Sequence, residues 1–232
     1  MAATKTLKIL TWNCNLNFTS KYVEVEKYDA DVLIIQECEK LEKKSFKGYE
    51  FHWIGHNEAK GLAILTKGES EFLEMRYNPK LIYFLPVKFK DILILGVWAF
   101  NSRAKKFGNS RSGYFLDAIE HYKEAIGSSR RVIIAGDFNN GPQWDIPGHQ
   151  NNFVDINRSL NDLGLFSAYH VYSKEVFGLE SMQTHFHQKN PEKKFHIDYI
   201  YANFEEVVSA KIERFENWSL FSDHTPLFTE LK

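Results

Sequence analysis

Residues 132–140 read VIIAGDFNN. The run Val132-Ile133-Ile134-Ala135 has the composition of a strand buried on both faces. It stops at Gly136, Asp137 and Asn139. A lone Asp-x-Asn after a strand usually makes an Asx-turn or caps a helix. A rigid strand that ends in a carboxylate and an amide is equally a platform for chemistry. The rest of the chain decides between the two.

Further strands surround this one in the sequence. Segments 7–12, 31–36 (DVLIIQ) and 61–66 (GLAILT) are short apolar runs. Segments 82–89 and 92–100 are longer and meet at Lys90-Asp91, a hairpin signal. Segments 195–201 and 225–231 are late strands. Helices fall between them. Thr19 or Ser20 is placed to cap one that ends near Asp29. Over 110–126, Tyr114, Ala118, Tyr122 and Ile126 recur every fourth residue beside Phe115, Ile119 and Ala125, and Gly127 is the expected stop. Over 152–163, Phe153, Ile156, Leu160 and Leu163 share a face ahead of Gly164. No repeat, low-complexity tract or linker interrupts the pattern. Fully apolar strands mixed with amphipathic helices predict an α/β fold in which two sheets pack face to face with helices outside. A chain of 232 residues fits one such domain, spanning 1–232.

The bulk composition bounds the function. Hydrophobic residues make up 44% and charged residues 25%, ordinary for a globular protein. With 19 Phe and 11 Tyr the core is aromatic-rich, and a few loop aromatics are left to stack on bases. The net charge of −1 argues against a nucleic-acid coating protein, so nucleic-acid binding would need a local basic patch or bound metal. Cys14 and Cys38 form no disulfide framework, which predicts reduced thiols. The segment MAATKTLKILTWN carries no apolar signal region, and no stretch approaches a membrane span. The expectation is a cytoplasmic monomer that does not engage membranes.

Five strand ends carry polar residues: Asn13 and Asn15, Gln36 and Glu37, Asp137 and Asn139, His196 and Asp198, and Ser222-Asp223-His224. Singly, each is a turn or a solvated strand end. Asp198 is harder to dismiss, since it lies between apolar neighbours and needs a partner. Gathered on one rim, the set suits metal-assisted phosphate hydrolysis. Glu37, Asp137, Asp198 and Asp223 are hard oxygen donors, and the absence of a cysteine cluster favours Mg²⁺ or Mn²⁺ over Zn²⁺. His224 adds a group that can be cationic near neutral pH. Neither a Gly-x-Ser-x-Gly elbow nor a phosphate-binding P-loop occurs.

The ordered motifs TWN, QE, GDFN, HIDYI and SDH run from Asn13 to His224. In this respect the chain resembles the endonuclease/exonuclease/phosphatase superfamily. The resemblance implies a four-layer α/β/β/α sandwich with two packed mixed β-sheets flanked by helices. It implies that Glu37 is the principal metal ligand, with Asn15 nearby and Asp223 as a metal-site or water-activating carboxylate. It further implies that Asp137 orients or deprotonates the attacking water, that Asn13 and Asn139 hold Asp137 and the phosphate, and that His224, oriented by Asp198, stabilises the transition state. One departure stands out. Trp98 occupies the place where members usually carry His or Tyr, and an indole can donate a hydrogen bond but cannot shuttle a proton.

Two loops are candidates for substrate contact. Residues 101–111 follow the Trp98 strand and hold Asn101, Arg103, Lys105, Lys106 and Arg111, a patch able to grip a phosphodiester backbone. Residues 184–196 hold His185, Phe186, His187 and His196, with Phe186 as a base-stacking candidate. The functional expectation is therefore a Mg²⁺- or Mn²⁺-dependent phosphodiesterase, a nuclease acting on DNA rather than RNA. Hydrolysis of a small phosphorylated molecule is the alternative, and a non-catalytic binding module is the alternative of another class.

Overall fold

The computed structural model describes residues 6–42, 46–81, 83–99, 115–148 and 152–232. Asn101, Arg103, Lys105, Lys106 and Arg111 lie outside the described residues, as do positions 110–114 of the expected helix and positions 82 and 100 of the expected hairpin. In chain order the elements are β1 (Leu7–Asn13), α1 (Phe18–Glu26), β2 (Val32–Cys38), β3 (Glu50–Asn57), β4 (Lys60–Thr66), β5 (Ser70–Phe72), β6 (Phe84–Phe89), β7 (Ile92–Trp98), α2 (Phe115–Ser128), β8 (Arg131–Asp137), α3 (Phe153–Asp162), β9 (Phe166–Ser167), α4 (Ala168–Ser173), β10 (His185–Phe186), β11 (Lys194–Phe195), β12 (Asp198–Ala202), β13 (Val207–Ile212), α5 (Phe215–Trp218) and β14 (Leu227–Leu231).

Two mixed sheets of six strands form the body. One runs β13-β14-β1-β2-β4-β3 and the other β5-β6-β7-β8-β12-β9. Three apolar clusters give the layering. Ile34, Ile64, Ile94 and Ile133 lie among the residues packed between the sheets. Phe115, Ile119, Tyr122, Ile156 and Leu160 seal α2 and α3 onto the second sheet. Phe18 and Val25 seal α1 onto Leu10, Leu33 and Ile35 of the first. The order is helix, sheet, sheet, helix, and it explains why central strands such as Ile92–Trp98 are apolar on both faces. Gly96 faces the other sheet at close range: a Cβ there would sit 2.9 Å from Ile64 Cδ1.

Several boundaries differ from the sequence expectation. Neither Thr19 nor Ser20 caps α1; the helix starts at Phe18 behind Asn17, whose φ is +53°. The carboxylate of Glu39 caps it across 20 residues of chain, accepting the N–H groups of Phe18 at 2.7 Å and Thr19 at 2.8 Å. Gly127 does not stop α2, which continues to Ser128. The 195–201 segment is two strands, because Thr184 Oγ1 takes the N–H groups of Ile197 and Asp198 and breaks the ladder between them. The hairpin at Lys90-Asp91 forms as expected, with Phe89 opposite Ile92 and Lys90 at φ +56°. Among the described residues, no helix is long and apolar enough to cross a membrane.

Candidate active site

Strand β8 ends between two neighbours. Asp137 is opposite Trp98 on parallel β7 and opposite Asp198 on antiparallel β12. Gly136 permits this approach. Its φ of +145° is a region L side chains avoid, and a Cβ would fall 1.8 Å from Val97 O. The backbone is thus pressed against β7 one residue before the carboxylate.

Asp137 is buried, at 1% exposure, and is hydrogen-bonded from both sheets. Asn13, at the end of β1, donates its amide to Oδ2 at 3.0 Å. Asn139 donates its backbone N–H to Oδ1 at 2.8 Å and its side-chain amide to Oδ2 at 3.1 Å. The same amide also reaches Ala99 O at 2.9 Å, so it ties β8 to the end of β7. Asn139 does make an Asx-type bond, and it also holds the site. The turn and the platform are one structure.

His224 lies beside this group. Its Nδ1 is 2.9 Å from Asp198 Oδ2, and its Nε2 is 4.0 Å from Asp137 Oδ2. Burial alone would lower the imidazole pKa. The carboxylates of Asp198, Asp137 and Asp223 outweigh burial and hold it up at about 10. Burial raises Asp137, Asp198 pushes the same way, and the partly compensating His224 and Asn13 leave it at about 7. The cluster therefore holds a protonated imidazole against carboxylates, an arrangement ready to meet an anion. The His185 ring lies tilted against that of His224, 4.4 Å between ring centroids, and places Nε2 3.8 Å from Asp223 Oδ2. Burial would raise Asp223, but His185 and His224 hold it down at about 2.

The loop after β1 is strained in order to reach this group. Asn15, Leu16 and Asn17 have φ of +49°, +70° and +53°. Such residues persist only where their surroundings over-determine them. Asn13 Oδ1 accepts the Asn15 N–H at 3.2 Å, and Glu37 O accepts that of Leu16 at 3.0 Å. Lys21 donates to Cys14 O, Asn15 O and Phe221 O at 2.7, 3.1 and 2.6 Å. The side-chain amide of Asn15 is thereby brought to Asp223 Oδ1, at 3.2 Å. Ser222 links the same segments, donating to Asn13 O at 2.7 Å and accepting the His224 N–H at 3.0 Å.

Glu37 comes from the adjacent strand end, one residue past Gln36, the register partner of Asn13. Its φ of +57° turns it at a bulge against β4. The carboxylate is paired at 2.8 Å with Lys60, the first residue of β4. Trp98 is buried, stacked on Tyr83 at 4.9 Å, with the Lys60 ammonium 5.2 Å from its ring centroid.

Two expected substrate contacts lie elsewhere. Phe186 is 8% exposed and stacks on Phe215 at 4.1 Å, so it presents no open face to a base. His196 is 2% exposed against Tyr169 and Tyr199, with Nδ1 directed at Met182 O. Burial lowers its pKa to about 4, so it is a neutral core histidine. Both sit in a segment whose polar neighbours gave it the look of a loop, whereas β10 and β11 fold it inward. Lys21, Glu39, Lys60 and Thr184 were not singled out as site residues by the sequence. Each works by a contact distant in the chain and carries no local signal.

The donors fit a hard divalent cation. Asp137, Asp198 and His224 offer ligand-type atoms within 4.8 Å of one another, and Asp198 Oδ1 is buried without a hydrogen-bond partner. The closeness of these three is already explained by their hydrogen bonds and charge pairing. Glu37 is more open, at 19% side-chain exposure, and already attracts a cation in Lys60. It is the better candidate to hold an ion, with Asn15 and Asp223 at the neighbouring strand ends.

The sequence profile of the Endonuclease/Exonuclease/phosphatase family matches residues 10–224. Among curated proteins, no relative matches the chain. Solved structures do. A 3′ phosphatase, NExo, from Neisseria bound to product DNA hairpin superposes with a TM-score of 0.72 at 20% identity, covering 97% of this chain and 99% of that one. An AP endonuclease from Archaeoglobus fulgidus gives 0.68 at 20% identity, covering 96% and 98%. The AP endonuclease LMAP from Leishmania major gives 0.70 at 14% identity, covering 100% and 89%. These likenesses establish the shared architecture. With the family profile spanning the strand that begins the site and the histidine that closes it, the chain belongs to the endonuclease/exonuclease/phosphatase family.

Proposed function

We propose that the chain is a Mg²⁺- or Mn²⁺-dependent phosphodiester hydrolase, a nuclease acting on DNA, working as a single-domain cytoplasmic monomer. The observation that carries this reading is the Asp137 carboxylate, fixed from two sheets by Asn13 and Asn139 and set 4.0 Å from the imidazole of His224. Members of the family depend on a divalent metal, and the more open carboxylate of Glu37, beside that buried cluster, is the donor suited to it. Among solved structures of the same fold, one is a 3′ phosphatase bound to product DNA hairpin and others are AP endonucleases, which favours DNA as substrate class.

Glu37, with Asn15 and Asp223, would hold the ion. When bound, it would act as a Lewis acid on a phosphoryl oxygen. The chain's own residues do the rest. Asp137, with its pKa near neutrality, accepts the proton of a water placed between it and the phosphorus. Asn13 and Asn139 keep the carboxylate from rotating away. Protonated His224 donates from Nε2 to a phosphoryl oxygen as charge grows, while Asp198 accepts from Nδ1 and holds the ring's orientation. Trp98 lies beside Asp137 in register and cannot relay a proton, so His224 is the acid of the set.

The test is hydrolysis of single-stranded, duplex and abasic DNA, RNA, an inositol phosphate and a simple phosphodiester, with Mg²⁺, Mn²⁺ or EDTA. Asp137→Asn should remain folded and lose about 10²- to 10⁴-fold in turnover, the range of a removed general base. Turnover near wild type in that variant would remove Asp137 from the mechanism. Cleavage of the small phosphates alone would move the chain to the phosphatase reading.

A further inference from the structure

Trp98 raises a question that the proposed reaction leaves open: what does the site use where a His or Tyr is absent? Four facts converge on Lys60. Its ammonium is 2.8 Å from Glu37 Oε2. It also lies 5.2 Å from the centroid of the Trp98 ring, within cation–π range, and tryptophan is the ring that holds a cation best. Trp98 is the register partner of Asp137, and Glu37 follows the register partner of Asn13. The lysine thus sits against both strand ends whose neighbours build the Asp137 network. Finally, its side chain is 40% exposed, so the ammonium beside Glu37 is open to solvent.

An ammonium carries three donors in a rotatable head, and Glu37 holds this one as an ion pair. Its butyl stem can lie along an indole while the head moves. Hydration and flexibility make lysine a point charge that changes partner at low cost. A divalent ion and the ammonium already on Glu37 compete for the same carboxylate charge.

We infer that Lys60 is a resident cation of the site: it neutralises Glu37 before the divalent ion binds, then, displaced but kept near by Trp98, it binds a phosphoryl oxygen of the substrate. This rests on the reading of Glu37 as metal ligand and of the substrate as a phosphoester. The consequence is a trade. Lys60 weakens metal binding in the free protein and strengthens substrate binding in the metal-loaded one. Trp98 is then the platform that keeps the displaced ammonium in reach, which accounts for an indole at a position where an acid–base residue is usual.

The experiment has two arms. The first is calorimetric titration of the substrate-free protein with Mn²⁺, using wild type, Lys60→Met, Lys60→Arg and Glu37→Gln. Lys60→Met keeps the stem and removes the competitor. It should bind Mn²⁺ about two- to fivefold tighter, the size of effect that a partly exposed ion pair carries. Unchanged or weaker binding in Lys60→Met overturns the proposal. Glu37→Gln should bind more weakly than wild type; equal binding overturns the placement of the metal, and the Lys60 role with it. The second arm is hydrolysis at saturating Mn²⁺. Lys60→Met should raise KM about tenfold with a smaller change in kcat, as a lost phosphate contact made in both ground and transition states would do. Lys60→Arg should restore KM. An unaltered KM with tightened metal binding limits Lys60 to a counter-ion and overturns the phosphate half. If wild type hydrolyses nothing, the proposed activity fails while the first arm still decides whether Lys60 competes with the ion.

Discussion

Gly136 is the smallest residue in the site and one of the most constrained. Its positive φ and the 1.8 Å approach of Val97 O to a would-be Cβ leave no room for a side chain. The glycine lets β7 and β8 close on each other immediately before Asp137. Gly136→Ala should destabilise the protein by roughly 2–4 kcal/mol, the sum of a strained backbone and a backbone clash. Urea unfolding would show it, and an unchanged midpoint would mean the strand end relaxes freely. Asn139 is also doubly used, since its backbone N–H and its side-chain amide both bind Asp137. An Asx-turn was legible in GDFN. That the turn's own acceptor is the central carboxylate follows from the same short spacing.

At the scale of elements, the site is held by parts that look unrelated in sequence. Helix α1 has no cap of its own, and Glu39 supplies one from the segment that carries Glu37. Burial would raise the Glu39 pKa, but hydrogen bonds from Thr19 and Phe18 lower it, so the charged form is the one the helix holds. Glu39→Ala should cost about 1–2 kcal/mol, as for loss of a strong N-cap. Glu39→Gln, still an acceptor, should cost less. Chemical denaturation of the two variants separates the cases; equal stability of Glu39→Ala and wild type would show that water replaces the cap. Lys21, projecting from the same helix, pins both Asn15 and the Phe221 turn, so α1 carries the geometry of two site loops.

For the whole molecule, the site is a charge cluster enclosed by two sheets, and it couples stability to pH. His224 has its pKa raised from 6.5 to about 10 in the fold. Its contribution is therefore complete below pH 6.5 and is lost as pH rises through about 10. Asp137 is raised from 3.8 to about 7, so the fold favours its protonated form, and stability is again lost as pH rises from 3.8 to about 7. Both signs agree. In EDTA, stability should fall between pH 6 and pH 10, and His224→Gln should flatten that fall above pH 6.5. Urea midpoints at pH 6, 8 and 10 test it. A wild-type profile parallel to that of His224→Gln would show that the imidazole is not held protonated. Asp223, held down at about 2, acts in the opposite direction and only below pH 3.8.

The sequence determined the layers and the inventory of the site. Apolar runs such as those at 92–95 and 132–135 read as buried strands, the stripe of Ala118, Ile119 and Tyr122 reads as a helix face, and both form as read. Periodicity and turn chemistry are local, so they are readable without a structure. The polar strand ends were equally legible, because carboxylates and amides behind buried strands need partners. Tertiary structure alone decided which partners they take. It set Asn13 of one sheet on Asp137 of the other, drew Phe186 and His196 into the interior, and put Lys60 on Glu37 and Trp98. The physical reason is that such bonds depend on how two sheets stack and where a hairpin's rim falls, and no spacing along the chain encodes that distance.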